Sequence, residues 1–130
     1  MQQRLFTLDE ALTLLPTVRQ LVTEIQAARA EVERLTAELD RLLQLSGGNG
    51  HLAADQASGR KAVQAAATTL DSLLSELEGI GVQLKSMDEG LVDFPSERDG
   101  RVINLCWRLG EDTIAWWHDL DTGFAGRQPL

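Results

Sequence analysis

One cysteine, Cys106, stands in 130 residues. A single thiol cannot close an internal disulfide. A stapled extracellular scaffold is therefore excluded, and a reducing, cytoplasmic setting is expected. Positive charge is also scarce: twelve Lys and Arg face twenty Asp and Glu, for a net charge of −8. Binding to a phosphate backbone or to anionic lipid needs a basic surface, so nucleic acid and membrane are not expected as partners. No apolar run approaches the length that spans a bilayer, and Met1-Gln2-Gln3-Arg4-Leu5 lacks the apolar stretch of a signal peptide. Metal and redox spacings are missing as well: there is no CxxC, no HExxH and no paired histidine.

What is present fits one folded domain over residues 1–130. The chain is 43% hydrophobic and 25% charged, ordinary values for a globular protein with one modest core. Aromatic residues are unevenly placed. Phe6 is alone near the start, whereas Phe94, Trp107, Trp116, Trp117 and Phe124 all lie in the last third. Large rings fill cores and recognition pockets, so the two parts of the chain are expected to do different jobs.

The first part, residues 7–78, reads as a helical hairpin. Thr7-Leu8-Asp9-Glu10 has the form of a capping box and should start a helix. Pro16 removes one intrahelical donor and predicts a kink or short break. Leu14, Val18, Leu21, Ile25, Ala28, Val32, Leu35, Leu39 and Leu42 alternate at spacings of four and three, a heptad seam flanked by charged residues. Ser46-Gly47-Gly48-Asn49-Gly50 ends that helix, and a second, from about His51 to Glu78, keeps the same alternation from Val63 onward, with Gln56 and Gly59 at seam positions of its weaker first half. A short loop between two such helices favours an antiparallel pair. At about 1.5 Å per residue the first helix is longer than a small sheet can cover, so part of its seam is expected to meet a second chain.

The second part, residues 82–130, reads as a four-stranded antiparallel β-meander with a tail. Asp99-Gly100 is a strong two-residue hairpin signal, and Gly110-Glu111 a second candidate. The first turn pairs Arg98 with Arg101, which sets Phe94 opposite Leu105 and Val92 opposite Trp107. The second would set Leu105 opposite Trp116 and Trp107 opposite Ile114, and Leu84 falls beside Val92. One face then collects the apolar residues, Trp107 and Trp116 included, and the other carries Asp93, Asn104, Cys106, Arg108 and Trp117. The expected fold is α+β, with the apolar sheet face packed on the long-helix hairpin.

Gly90-Leu91-Val92-Asp93-Phe94-Pro95, Leu105-Cys106-Trp107-Arg108-Leu109-Gly110-Glu111, Trp117-His118 and the C-terminal string Gly123-Phe124-Ala125-Gly126-Arg127-Gln128-Pro129-Leu130 resemble the prokaryotic family named domain of unknown function 2203. The resemblance covers almost the whole chain. It implies the domain layout above and carries no activity.

Two polar sets are candidate sites. His118, Asp119 and Asp121 offer the imidazole and carboxylate ligands of a divalent metal, and a histidine beside a carboxylate can act as a general base. Without a ligand spacing the plainer reading is that His118 caps its strand and the aspartates shape a turn. No cofactor beyond such a metal is predicted. Arg108, Trp117, His118 and Arg127 form the second set. If the tail crosses the polar face, they would make a small pocket for an anionic ligand or an acidic peptide. Cys106 reads as a small buried hydrophobe rather than a reactive thiol. The favoured function is a non-enzymatic interaction protein that forms a homodimer through its helices, with a possible protein or small anionic ligand. The alternative is a metal- or anion-binding enzyme built on His118, Asp119, Asp121 and Arg127.

Overall fold

The computed structural model describes residues 3–46 and 50–130. Helix α1 runs from Leu8 to Leu43 and helix α2 from Gly50 to Ile80. The central part of the expected turn between them, residues 47–49, lies outside the described residues. The capping box forms as expected: the Thr7 hydroxyl accepts from the Glu10 N–H at 3.1 Å, and the Glu10 carboxylate accepts from the Thr7 N–H at 2.9 Å. The chain stays helical through Pro16. That residue is exposed, and the helix continues past it without the expected break.

The strands are β1 (Gln83–Ser86), β2 (Leu91–Arg98), β3 (Arg101–Arg108), β4 (Trp116–Asp119) and β5 (Gln128–Pro129). They form one antiparallel sheet in sequence order. The β2–β3 hairpin has the expected register: Arg98 pairs with Arg101, Phe94 with Leu105 and Val92 with Trp107. Asp99 and Gly100 both take positive φ, 52° and 79°, as a tight turn matched to strand twist requires. Leu84 pairs with Val92, also as expected.

The next hairpin differs. Leu105 pairs with Trp117 and Cys106 with Trp116, one residue away from the register that a two-residue turn at Gly110-Glu111 would impose. Glu111 is the reason. Its N–H donates to the Arg108 carbonyl at 3.0 Å, its carboxylate accepts from the Arg108 N–H at 2.7 Å, and its carbonyl accepts from the Trp107 indole at 2.9 Å. These bonds draw the chain off the ladder, and pairing resumes only at Trp116. The slip exchanges the two adjacent rings. Trp117, expected on the polar face, is buried on the helix side. Trp116, expected in the core, faces away and is half-buried. A fifth short strand joins the four expected ones, because the tail returns along the free edge of β4 and pairs Gln128 with Trp117.

The helices cover one face of the sheet. Val18, Val22 and Ile25 of α1 and Leu77 of α2 pack with Phe94, Leu105, Trp107 and Trp117 in one cluster. Phe6 meets the Phe94 ring edge-on at 5.5 Å, and its N–H donates to the Pro95 carbonyl at 2.7 Å. The hairpin extends beyond this core. Among the described residues no side chain of α1 after Ile25, and none of α2 before Leu77, is fully buried.

Candidate functional site

Strand alternation decides which residues meet on the sheet face turned away from the helices. Asn104, Cys106 and Arg108 alternate along β3 on that face. Asp93 lies directly opposite Cys106 on one side, and His118 lies opposite Asn104 on the other. One carboxylate, one thiol and one imidazole, each from a different strand, therefore converge. Their possible ligand atoms all lie within 4.8 Å of one another. All three are buried, with exposures of 2% for Asp93, 0% for Cys106 and 2% for His118. A far sheet face would ordinarily be wetted, so its burial points to a cover.

The tail supplies that cover through Arg127. Its Nε donates to Cys106 Sγ at 3.3 Å and Nη2 to the Cys106 carbonyl at 3.4 Å. Nη1 and Nη2 grip the Glu111 carboxylate at 2.8 and 2.6 Å. The guanidinium also sits over the rings of Phe124 and Trp116, at 4.5 and 5.5 Å. The Arg127 hydrogen bond holds the Glu111 carboxyl below its ordinary range, further than partial burial raises it.

Hydrogen bonding limits what the cluster can do. His118 Nδ1 lies 2.7 Å from the Asp119 carbonyl oxygen, which can only accept, so Nδ1 carries a proton. Nε2 lies 2.9 Å from Asp93 Oδ1. That contact needs one proton, held either by the ring or by the carboxyl. Both ring nitrogens are thus engaged, and neither is turned to Cys106 as a base. Burial pushes the Cys106 thiol up to about 11, more than the Arg127 donor lowers it. The group is a neutral thiol near neutral pH, and this geometry is not a nucleophilic Cys–His pair.

The thiol carries a test in pH. Its folded value is raised from 9.0 to about 11, so the unfolded chain ionises first as pH rises. The stability linked to it is complete below the unfolded value and should fall progressively between 9.0 and about 11. Denaturant unfolding across this range should show a steeper loss in the parent than in Cys106→Ala. Equal slopes would mean that the thiol is not sequestered.

Several expected site residues stand elsewhere. The Asp119 carboxylate pairs with Arg101 at 3.1 Å, and Asp121 is exposed. His118 instead joins Asp93 and Cys106. The reason is alternation: Asp119 follows His118 on the strand, so its side chain leaves by the other face. Arg108 and Arg127 do share the far face, where both approach Phe124, but Trp117 is on the opposite one. Four of the five Arg127 N–H donors engage Glu111 and Cys106. Glu111 is tied into the cluster through Arg127. Sequence reasoning missed Asp93 as a site residue, yet its own β2–β3 register put Asp93 opposite Cys106. The sequence reading groups His118 with Asp119 and Asp121 or with the tail, and the observed register sets it opposite Asn104 instead.

A family profile described as an uncharacterized conserved protein (DUF2203) matches residues 4–130. The chain belongs to this family. The DUF2203 match spans both the helical hairpin and the sheet, and the Asp93, Cys106, His118 and Arg127 cluster falls within it. No curated protein and no solved structure matches the chain significantly. Among the described residues no helix is long and apolar enough to cross a membrane.

Proposed function

We propose that this DUF2203 protein is a non-enzymatic cytoplasmic interaction protein that forms a homodimer through the outer half of its helical hairpin. The observation that carries the reading is the state of the seam. Val32, Leu35, Leu39 and Leu42 repeat at heptad spacing, yet each is only half-buried by α2. Opposite them α2 presents Ser58, Gly59 and Ala62, and an open groove of about 360 Å³ runs between the two helices. Leu43 and Leu45 at the end of the arm are 43% and 56% exposed. Two helices bury one stripe each, and a second pair is the simplest way to cover the rest.

Charge favours a second copy over a partner of one sign. The outer part of α1 carries Arg29 and Arg34 beside Glu31, Glu33 and Glu38, already paired along the helix. A surface of balanced sign gains little from a polyanion, but it is compatible with itself when turned about a two-fold axis. The enzymatic alternative is weaker as framed on His118, Asp119, Asp121 and Arg127, since Asp119 pairs with Arg101 and Asp121 is exposed, so these groups do not converge.

Sedimentation velocity should give a dimer at tens of micromolar, an order-of-magnitude working concentration for weak association. Leu35→Glu combined with Leu39→Glu should yield a monomer that keeps the near-ultraviolet signal of the buried tryptophans. A parent chain that sediments as a monomer would reject the reading.

A further inference from the structure

We propose that Asp93, Cys106 and His118 form a binding site for one divalent transition-metal ion of the zinc type, with the donors supplied by three neighbouring strands. The site is independent of the helical interface, so either proposal can fail alone.

Three observations point to a metal rather than to an inert polar cluster. The first is the donor set. A thiolate, an imidazole nitrogen and a carboxylate oxygen are the ligands that zinc and its neighbours combine in one site. Tetrahedral bonds of the usual lengths place such donors roughly 3.3 to 3.6 Å apart. The donors here lie within 4.8 Å of one another, with His118 Nε2 and Asp93 Oδ1 at 2.9 Å. Gathering them around an ion asks for shifts on the order of 1 Å, within the reach of small side-chain rotations.

The second is the surrounding hydrogen bonds. The Asp119 carbonyl holds the proton on His118 Nδ1, which leaves Nε2, facing Asp93, as the nitrogen that would coordinate once the shared proton is lost. A backbone carbonyl on the remote ring nitrogen is the usual support of a metal-bound histidine. Arg127 Nε already donates to Cys106 Sγ and can keep that bond to a thiolate, while Glu111 balances the guanidinium charge. Asn104 adds an independent sign. It is 3% exposed, lies opposite His118 and two residues from Cys106 on the same face, and its Oδ1 has no hydrogen-bond partner. A buried carbonyl oxygen left unpaired is costly, and as a fourth donor it would be satisfied.

The third is charge. Without metal the His118–Asp93 pair holds one shared proton and the thiol holds another, so the buried cluster is neutral. Binding replaces both protons by one divalent cation: the thiol S–H bond and the shared N–H or O–H bond break, bonds from the metal to sulfur, nitrogen and oxygen form, and two protons leave to solvent. The cluster stays neutral. A monovalent ion would leave excess negative charge and a trivalent one excess positive charge, both costly in a buried setting.

Cobalt(II) is the probe, since it takes zinc sites and reports its ligands in the visible and near-ultraviolet. Chelator-treated full-length protein should bind one cobalt ion per chain with a thiolate-to-cobalt charge-transfer band and tetrahedral d–d absorption, and zinc should displace it. Calorimetry in buffers of different ionisation enthalpy should show about two protons released per ion. Cys106→Ser, which preserves shape and hydrogen-bonding capacity, should fold and lose the charge-transfer band. His118→Gln should weaken cobalt binding by at least about a hundredfold, beyond the roughly 10- to 100-fold range of outer-shell changes. Binding without a thiolate band would mean an adventitious surface site and would overturn the proposal. So would the lack of stoichiometric cobalt or zinc binding by the folded parent at micromolar concentrations, a result that requires no variant.

Discussion

Trp107→Ala should lower the free energy of unfolding by about 3 to 5 kcal/mol, the usual cost of deleting a large ring from a close-packed core. Trp107 has no exposed surface, and its ring lies between the helices and the middle of the sheet. Its indole N–H also holds the Glu111 carbonyl at 2.9 Å. Truncation therefore leaves a cavity and frees the loop that sets the β3–β4 register. Arg19 lies over the ring at 5.7 Å and would lose that contact too. Two adjacent tryptophans provide the control. Trp117, paired with Leu105 and 6% exposed, should also cost several kcal/mol when truncated, roughly as core positions do. Trp116, half-buried on the other face, should cost clearly less. Denaturant midpoints at constant m-value measure all three. Equal losses for Trp116→Ala and Trp117→Ala would contradict the observed register, and a larger loss for Trp116→Ala would favour the tight turn at Gly110-Glu111.

His118→Ala should be the most damaging change on the far face. In metal-free protein it leaves the Asp93 carboxylate 2% exposed with its partner gone. Deleting one partner of a buried hydrogen-bonded pair leaves the other polar group unsatisfied, at a cost of about 1 to 3 kcal/mol. The His118 ring is held at both ends, by the Asp119 carbonyl and by Asp93, so its loss also unpins the end of β4 from β2 across β3. Asp93→Ala alone should cost less than His118→Ala, since a neutral imidazole can remain. The double variant should recover part of the loss, with an interaction energy of about 1 to 3 kcal/mol in a double-mutant cycle. Additive effects would mean that the two groups do not share a proton in the folded state.

The helical half and the first hairpins were legible because their signals are local. The Thr7–Glu10 cap, the 4–3 spacing of leucines and valines, and the Asp99-Gly100 turn act over a few residues. Each fixes its own geometry whatever lies beyond it. The family resemblance likewise rested on contiguous strings such as Gly90 to Pro95 and Leu105 to Glu111. The Asp93–Cys106 pairing followed from the same local turn, although its chemical meaning did not.

The β3–β4 connection was not legible in the same way. Gly110-Glu111 was the local turn signal after Leu109, and the bonds made by Glu111, one of them to the distant Arg127, overrode it. The Trp107 indole bound the Glu111 carbonyl, and the tail brought Arg127 to the Glu111 carboxylate. One residue of register then moved Trp117 into the core and set His118 beside Asp93 and Cys106. By itself the sequence determined the two halves, the capped start of the first helix and the β2–β3 pairing, since each depends on neighbours in the chain. Only the tertiary structure decided which tryptophan is buried and which donors surround Cys106. Strand alternation has a period of two, so a long-range bond that shifts a strand by one residue reassigns every side chain on it.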